Sequence, residues 1–176
     1  MPPDSRGQQV PPEVAEEGEV AVATNSTAVS ASGGPGWVVE MWVDPEWYDS
    51  QEADDPMPAP TAPVVVPLTK MSVLVGRPSA SRRISPDVDA GADSGVSRRH
   101  CQFSTDGHRW WVEDLDSANG TYVAAVGRPL PSDPIPVGER QEITDSDRIF
   151  VGAWTRLQLR PALAGEIAIG NQPHLG

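Results

Sequence analysis

A single cysteine, Cys101, excludes an intrachain disulfide and any metal site built from several thiolates. No apolar run approaches the ~20 residues that a bilayer-spanning helix needs. The opening Met1-Pro2-Pro3-Asp4-Ser5-Arg6 offers no hydrophobic leader core. A secretory signal is therefore not expected, and the cytoplasm is the expected location. On that reading Asn25-Ser26-Thr27, a glycosylation-type triplet, is a chance occurrence in a polar stretch. Positive charge is scarce too: 13 Lys and Arg face 25 Asp and Glu, a net charge of −12 over 176 residues. So acidic a chain is a poor partner for nucleic acid or an anionic membrane, and neither is expected. No 3.6-residue hydrophobic period is sustained and no internal repeat is visible.

The charge is unevenly placed. Residues 1–60 carry twelve carboxylates against Arg6 alone, leaving a net of only −1 for residues 61–176. Residues 1–36, rich in Pro, Glu, Gly, Ser, Thr and Ala and without an aromatic side chain, read as a disordered acidic tail. Thr24, Ser26 and Thr27 in it are candidate phosphoacceptors. Residues 37–48 change character: Trp37 to Val43 is aromatic and β-branched, which predicts a strand ended by Asp44-Pro45. Trp37, Trp42 and Trp47 imply that this segment packs on a folded domain; an exposed aromatic docking motif is the alternative. Residues 49–67 read as a Pro-rich acidic linker, with Val64-Val65-Val66 confined by Pro63 and Pro67 to a sheet edge at most.

From residue 68 to 161 the pattern is all-β. Strands are predicted at Met71–Val75, around Val88, and over Cys101–Ser104, Arg109–Asp114 and Thr121–Val126. A second set covers Ile135–Val137, Gln141–Ile143, Ile149–Val151 and Arg156–Arg160. Short strands separated by Gly, Pro, Asp and Ser clusters indicate a sandwich or barrel. Residues 162–176 lose the pattern and form a C-terminal tail.

Three polar clusters adjoin these strands. Val75-Gly76-Arg77 delivers an arginine from a strand end, and its planar guanidinium fork matches two phosphate oxygens. Ser97-Arg98-Arg99-His100 supplies a hydroxyl and further charge, and Ser117-Ala118-Asn119-Gly120-Thr121 supplies an amide at a turn. Taken singly, Arg77 is an ordinary surface arginine and Asn119-Gly120 an ordinary hairpin turn. Five arginines between positions 77 and 100 of an acidic protein, however, suit a dianionic phosphate. His100 reads as a buried histidine fixing the preceding loop, and Cys101 as a small core residue. Ser97 and His100 lack a carboxylate orienter and a nucleophile elbow, so catalysis is not expected. No metal site is expected, because His100 and Cys101 point to opposite faces of a strand, and no cofactor is called for.

The ordered set Gly76-Arg77, Ser97-Arg98-Arg99-His100, Asn119-Gly120-Thr121, Asp147-Arg148-Ile149 and Val151-Gly152 resembles a forkhead-associated (FHA) domain over roughly residues 72–160. Ile84-Ser85-Pro86-Asp87-Val88-Asp89 and Val43-Asp44-Pro45-Glu46-Trp47-Tyr48 further resemble actinobacterial members. The resemblance implies a β-sandwich of about eleven strands whose loops bind phosphothreonine peptides. It implies a phosphopeptide-binding set of Arg77, Ser97, Arg98, Asn119, Gly120 and Thr121, with Gly76 and His100 in support. The family's preference for phosphothreonine over phosphoserine comes from a small apolar pocket that takes the extra methyl. The implied function is phosphorylation-dependent protein–protein interaction in Ser/Thr-kinase signalling, with a phosphothreonine-bearing partner such as a kinase or its substrate. Two departures stand out. Ala118 replaces a frequent hydroxyl residue, and Gly95-Val96 leaves no charged side chain before Ser97. A phosphorylation-independent interaction domain and a Ser97 hydrolase are the competing readings. Occupation of the pocket by phosphorylated Thr24 or Thr27 of the same chain is a further possibility, at high effective concentration.

Overall fold

A computed structural model of the chain describes residues 36–169. The acidic tail with Thr24 and Thr27, and the end of the C-terminal tail, lie outside the described residues. Ten strands form two five-stranded sheets. The first sheet holds β1 (Trp37–Val43), β2 (Val64–Leu68), β7 (Thr121–Ala125), β9 (Asp147–Val151) and β10 (Thr155–Pro161), in the order β2-β1-β10-β9-β7. The second holds β3 (Ser72–Gly76), β4 (Val88–Asp89), β5 (Cys101–Thr105), β6 (Trp110–Asp114) and β8 (Arg140–Ile143), in the order β4-β3-β5-β6-β8.

Period-two patterning places the layers. In β6 Trp110, Val112 and Asp114 are buried while Trp111 and Glu113 are half-buried; β10 alternates likewise. The inward faces meet in one core that includes Val39, Val73, Val75, Val88, Phe103, Val112, Ile149, Val151 and Leu157. Each such side chain stabilises the fold by about 1.5–3 kcal/mol on burial. Pairing is antiparallel except between β3 and β4, where Val75 faces Val88 in parallel. β1 pairs with β10 along its whole length, from Val43 opposite Thr155 to Trp37 opposite Pro161. β2 tolerates Pro67 because it is an edge strand.

Two features depart from the sequence reading. Ile135–Val137 is not a strand among the described residues, which leaves ten strands rather than about eleven. Pro134 and Pro136 remove two ladder donors there, and only Ile135 N–H to the Thr121 carbonyl (2.8 Å) and a bridge from Val137 to Asp114 remain. The second departure is a helix, α1 (Pro45–Gln51), whose end takes up the first residues of the stretch that composition gave to the linker. Asp44 caps it through Oδ1, which accepts from Trp47 N–H at 2.9 Å, and Pro45 takes the first turn. Trp47, 1 % exposed, packs with both Tyr122 and Phe150 at ring-centroid distances of 4.9 Å. Its Nε1 donates to the Gly152 carbonyl at 3.1 Å. This one side chain therefore ties α1 to the β9–β10 turn. A short helix, α2 (Glu166–Ile169), follows β10. No described helix is long and apolar enough to cross a membrane.

Candidate functional site

At one end of the sandwich the β3–β4, β4–β5 and β6–β7 loops meet. Gly76 ends β3 where the β4–β5 loop crosses it: a Cβ there would lie 2.0 Å from the Arg98 carbonyl oxygen, so only glycine permits the approach. Arg77 follows, half-buried, and its N–H bonds the Ser97 carbonyl at 3.2 Å. The Arg77 Nε donates to the Val96 carbonyl, which fixes the guanidinium plane. Among the described residues both terminal nitrogens are left without a protein acceptor. They are the two that make a fork for an oxyanion.

His100 is fully buried and sits between two loops. Its Nδ1 accepts from Ser97 N–H at 2.9 Å, and its Nε2 lies 2.9 Å from the Gly120 carbonyl. The first bond requires an unprotonated Nδ1, so the second requires the hydrogen on Nε2, and the tautomer is fixed. Burial, the largest influence, holds the imidazole below its ordinary value, outweighing the Gly120 bond and the nearby Asp114 and Asp93 carboxylates. Neither ring nitrogen is free to take a proton from the Ser97 hydroxyl. Ser97 and His100 are thus not arranged as nucleophile and base. Ser97 Oγ instead accepts from Ala118 N–H at 2.9 Å, which leaves its own hydrogen available to a ligand.

The β6–β7 loop is organised by Asp114, 1 % exposed. Its carboxylate accepts from Ser117 Oγ and Thr121 Oγ1, both at 2.6 Å, and from Ser117 N–H at 3.0 Å. Ser117 Oγ in turn accepts from Gly120 N–H at 2.9 Å. Gly120 adopts φ +86°, in the region that favours glycine, and so turns the chain. Asn119 is left exposed at the tip, its Nδ2 donating to the Gly95 carbonyl at 2.8 Å and its Oδ1 without a partner among the described residues.

Arg77, Ser97 and Asn119 are therefore brought to one end, joined through Val96, Ala118 and Gly95. Arg98 is exposed beside them. Thr121 does not join them. It is fully buried with its hydroxyl bonded to Asp114, so it braces the loop instead of touching a ligand. The Gly120 amide and carbonyl are likewise both engaged within the protein.

Residues 73–152 match the family model described as FHA domain. The chain is 32 % identical over 92 residues to protein FraH of Nostoc sp., covering 51 % of this chain and 29 % of that one. It is 31 % identical over 101 residues to the FHA domain-containing protein FhaB of Mycobacterium tuberculosis, covering 54 % of this chain and 52 % of FhaB. Over residues 73–152 the chain is similar to an FHA domain. The sandwich also superposes on full-length yeast Pml1p with a TM-score of 0.54, at 17 % identity, over 81 % of this chain and 92 % of Pml1p. That likeness is one of fold. The chain spans about half or less of the curated relatives it matches. FHA domains are protein-interaction modules.

Two organisers of these loops escaped the sequence reading. Besides Asp114, Asp93 is 1 % exposed and accepts from the N–H groups of Gly95 (2.9 Å), Ala153 (3.0 Å) and Trp154 (2.9 Å) and from Thr155 Oγ1 (2.8 Å). It welds the β4–β5 loop to the β9–β10 turn. Asp93-Ser94-Gly95 and Asp114-Leu115-Asp116-Ser117 both carry the pattern of an Asp bonding its own loop's backbone, which was the available signal. Among the described residues no group of three or more His, Cys, Asp or Glu is placed to hold a metal.

Proposed function

We propose that the chain is a phosphothreonine-peptide reader, acting in phosphorylation-dependent protein–protein interaction downstream of a Ser/Thr kinase. One observation carries the reading. Arg77 offers two free guanidinium nitrogens, and Ser97 a free hydroxyl hydrogen, from neighbouring loops pinned by His100 and Gly76. A phosphothreonine carries about −1.5 to −2 charges and three acceptor oxygens, which suit such a fork and hydroxyl. Arg98 adds positive charge at the rim, and the free Asn119 Oδ1 suits a peptide N–H beside the phosphothreonine. Ala118 contributes only its backbone N–H, already given to Ser97, so no side-chain hydroxyl at that position adds a ligand bond.

The test is binding of a fluorescein-labelled phosphothreonine peptide library by the full chain and by Arg77→Ala and Ser97→Ala. Arg77→Ala leaves the dianion without its fork and is expected to lower affinity at least about a hundredfold, the cost of losing a charged, partly desolvated pair. Ser97→Ala removes one hydrogen bond to a charged group and is expected to cost roughly ten- to hundredfold. Retained phosphate-dependent affinity in Arg77→Ala overturns the assignment.

A further inference from the structure

Beside the phosphopeptide loops lies a cavity of about 280 Å³. Gly95, Asn119 and Gly152 form its floor on the sandwich side. Its opposite wall is the turn that follows α1, with Glu52, Asp54 and Asp55. These residues precede the segment 73–152 that matches the family model. We propose that this cavity takes a basic side chain of the bound peptide, so that the partner is a phosphothreonine segment with Arg or Lys close to the phosphorylated residue.

The proposal rests on the phosphopeptide reading and goes beyond it by naming the flank. Three observations support it. First, the cavity adjoins the reading site through Asn119, which lines it, so a peptide held there would pass along the cavity. Second, the wall is preorganised. Glu52 closes α1 in a left-handed conformation (φ 48°), Tyr48 Oη donates to the Asp55 carbonyl at 2.9 Å, and Asp55 Oδ2 accepts from Ser94 Oγ on the β4–β5 loop. Trp47, bonded to Gly152, fixes the base of the same turn. Third, all the ionisable side chains of the lining are carboxylates. Among the described residues none of Glu52, Asp54 and Asp55 has a Lys or Arg partner within ion-pair distance. The arginine-rich rim at Arg77 and Arg98 draws the phosphate while the acidic wall draws a cation, which also orients the peptide.

The carboxylates are exposed, so each pair is worth at most roughly a fivefold gain in affinity, and the effect weakens as salt screens it. The experiment is fluorescence anisotropy on the full chain with phosphothreonine peptides that place Arg, Ala or Glu in turn at each of the neighbouring positions. At one position Arg is expected to bind up to roughly fivefold tighter than Ala, and Glu more weakly than Ala. Glu52→Gln/Asp54→Asn/Asp55→Asn is expected to abolish that preference while leaving the Ala-flanked peptide's affinity within about twofold. Because Asp55 also holds Ser94, Glu52→Gln/Asp54→Asn is run beside it and is expected to lose most of the preference with that contact intact. Phosphate-dependent, Arg77-dependent binding that ignores the flank, or favours Glu, overturns this proposal and leaves the reader function standing. Absence of phosphate-dependent binding overturns the reader function and this proposal with it.

Discussion

Replacing His100 with alanine tests whether the binding loops are held together by one buried imidazole. The Ser97 N–H and the Gly120 carbonyl each lose a partner at 2.9 Å. Both groups are only part-buried, so water can partly replace the ring, and the cost of each falls at the low end, about 1 kcal/mol. Removing a fully buried ring from the structure leaves a cavity that adds roughly 2 kcal/mol. We expect a loss of about 3–4 kcal/mol from a domain whose total is on the order of 5–15 kcal/mol. Urea denaturation reads it as a lower midpoint with unchanged slope. The same ring predicts a pH dependence. Its folded value lies below its ordinary 6.5 because of burial, so on acidification the unfolded chain takes up this proton first. The contribution is complete above pH 6.5 and is lost as pH falls below it, at up to about 1.4 kcal/mol per unit. Between pH 7 and 5, before most carboxylates titrate, this slope should be present in the wild type and absent in His100→Ala. A loss below about 1 kcal/mol, or the same slope in both proteins, would refute the bracing role.

Trp47→Ala should cost about 3–5 kcal/mol by thermal or urea unfolding, since it removes a side chain packed on Tyr122 and Phe150 and bonded to Gly152; a neutral result would mean that α1 is not anchored as described. Gly76→Ala sets a methyl group against the Arg98 carbonyl, 2.0 Å away, and should displace the Ser97 loop, lowering phosphopeptide affinity and stability together. Asp114→Asn leaves at least one of three donors facing an amide N–H and should destabilise by about 2–3 kcal/mol in denaturant titrations. Asn119→Ala, at an exposed loop tip, should weaken peptide binding up to about tenfold with no change in unfolding midpoint.

What was legible in the sequence follows what local chemistry encodes. Strand positions such as Cys101–Thr105 and Trp110–Asp114 are marked by alternation and by β-branched and aromatic residues, and they appear within a residue or so of expectation. The helix Pro45–Gln51 was hidden because its stabilisation is mostly tertiary: a seven-residue helix has little intrinsic stability and depends on Trp47 finding Tyr122 and Phe150 far along the chain. Its cap, Asp44 followed by Pro45, was the overlooked local sign. Ile135–Val137 misled because β-branched residues outweighed the two prolines beside Ile135. At the site, residue order pointed to Arg77, Ser97 and Asn119 as a set. It could not show that Thr121 is buried against Asp114, or that Asp93 ties Gly95 to Trp154, because these depend on partners up to 61 residues apart.

The central claim, that these loops read a phosphorylated threonine, is tested most directly by titrating the full chain with matched peptides bearing phosphothreonine, phosphoserine or unmodified threonine. Saturable binding of the phosphothreonine form, weaker binding of phosphoserine and none of the unmodified form is the predicted result. Equal affinity for the phosphorylated and unmodified peptides would contradict it and mark the sandwich as a phosphorylation-independent docking module.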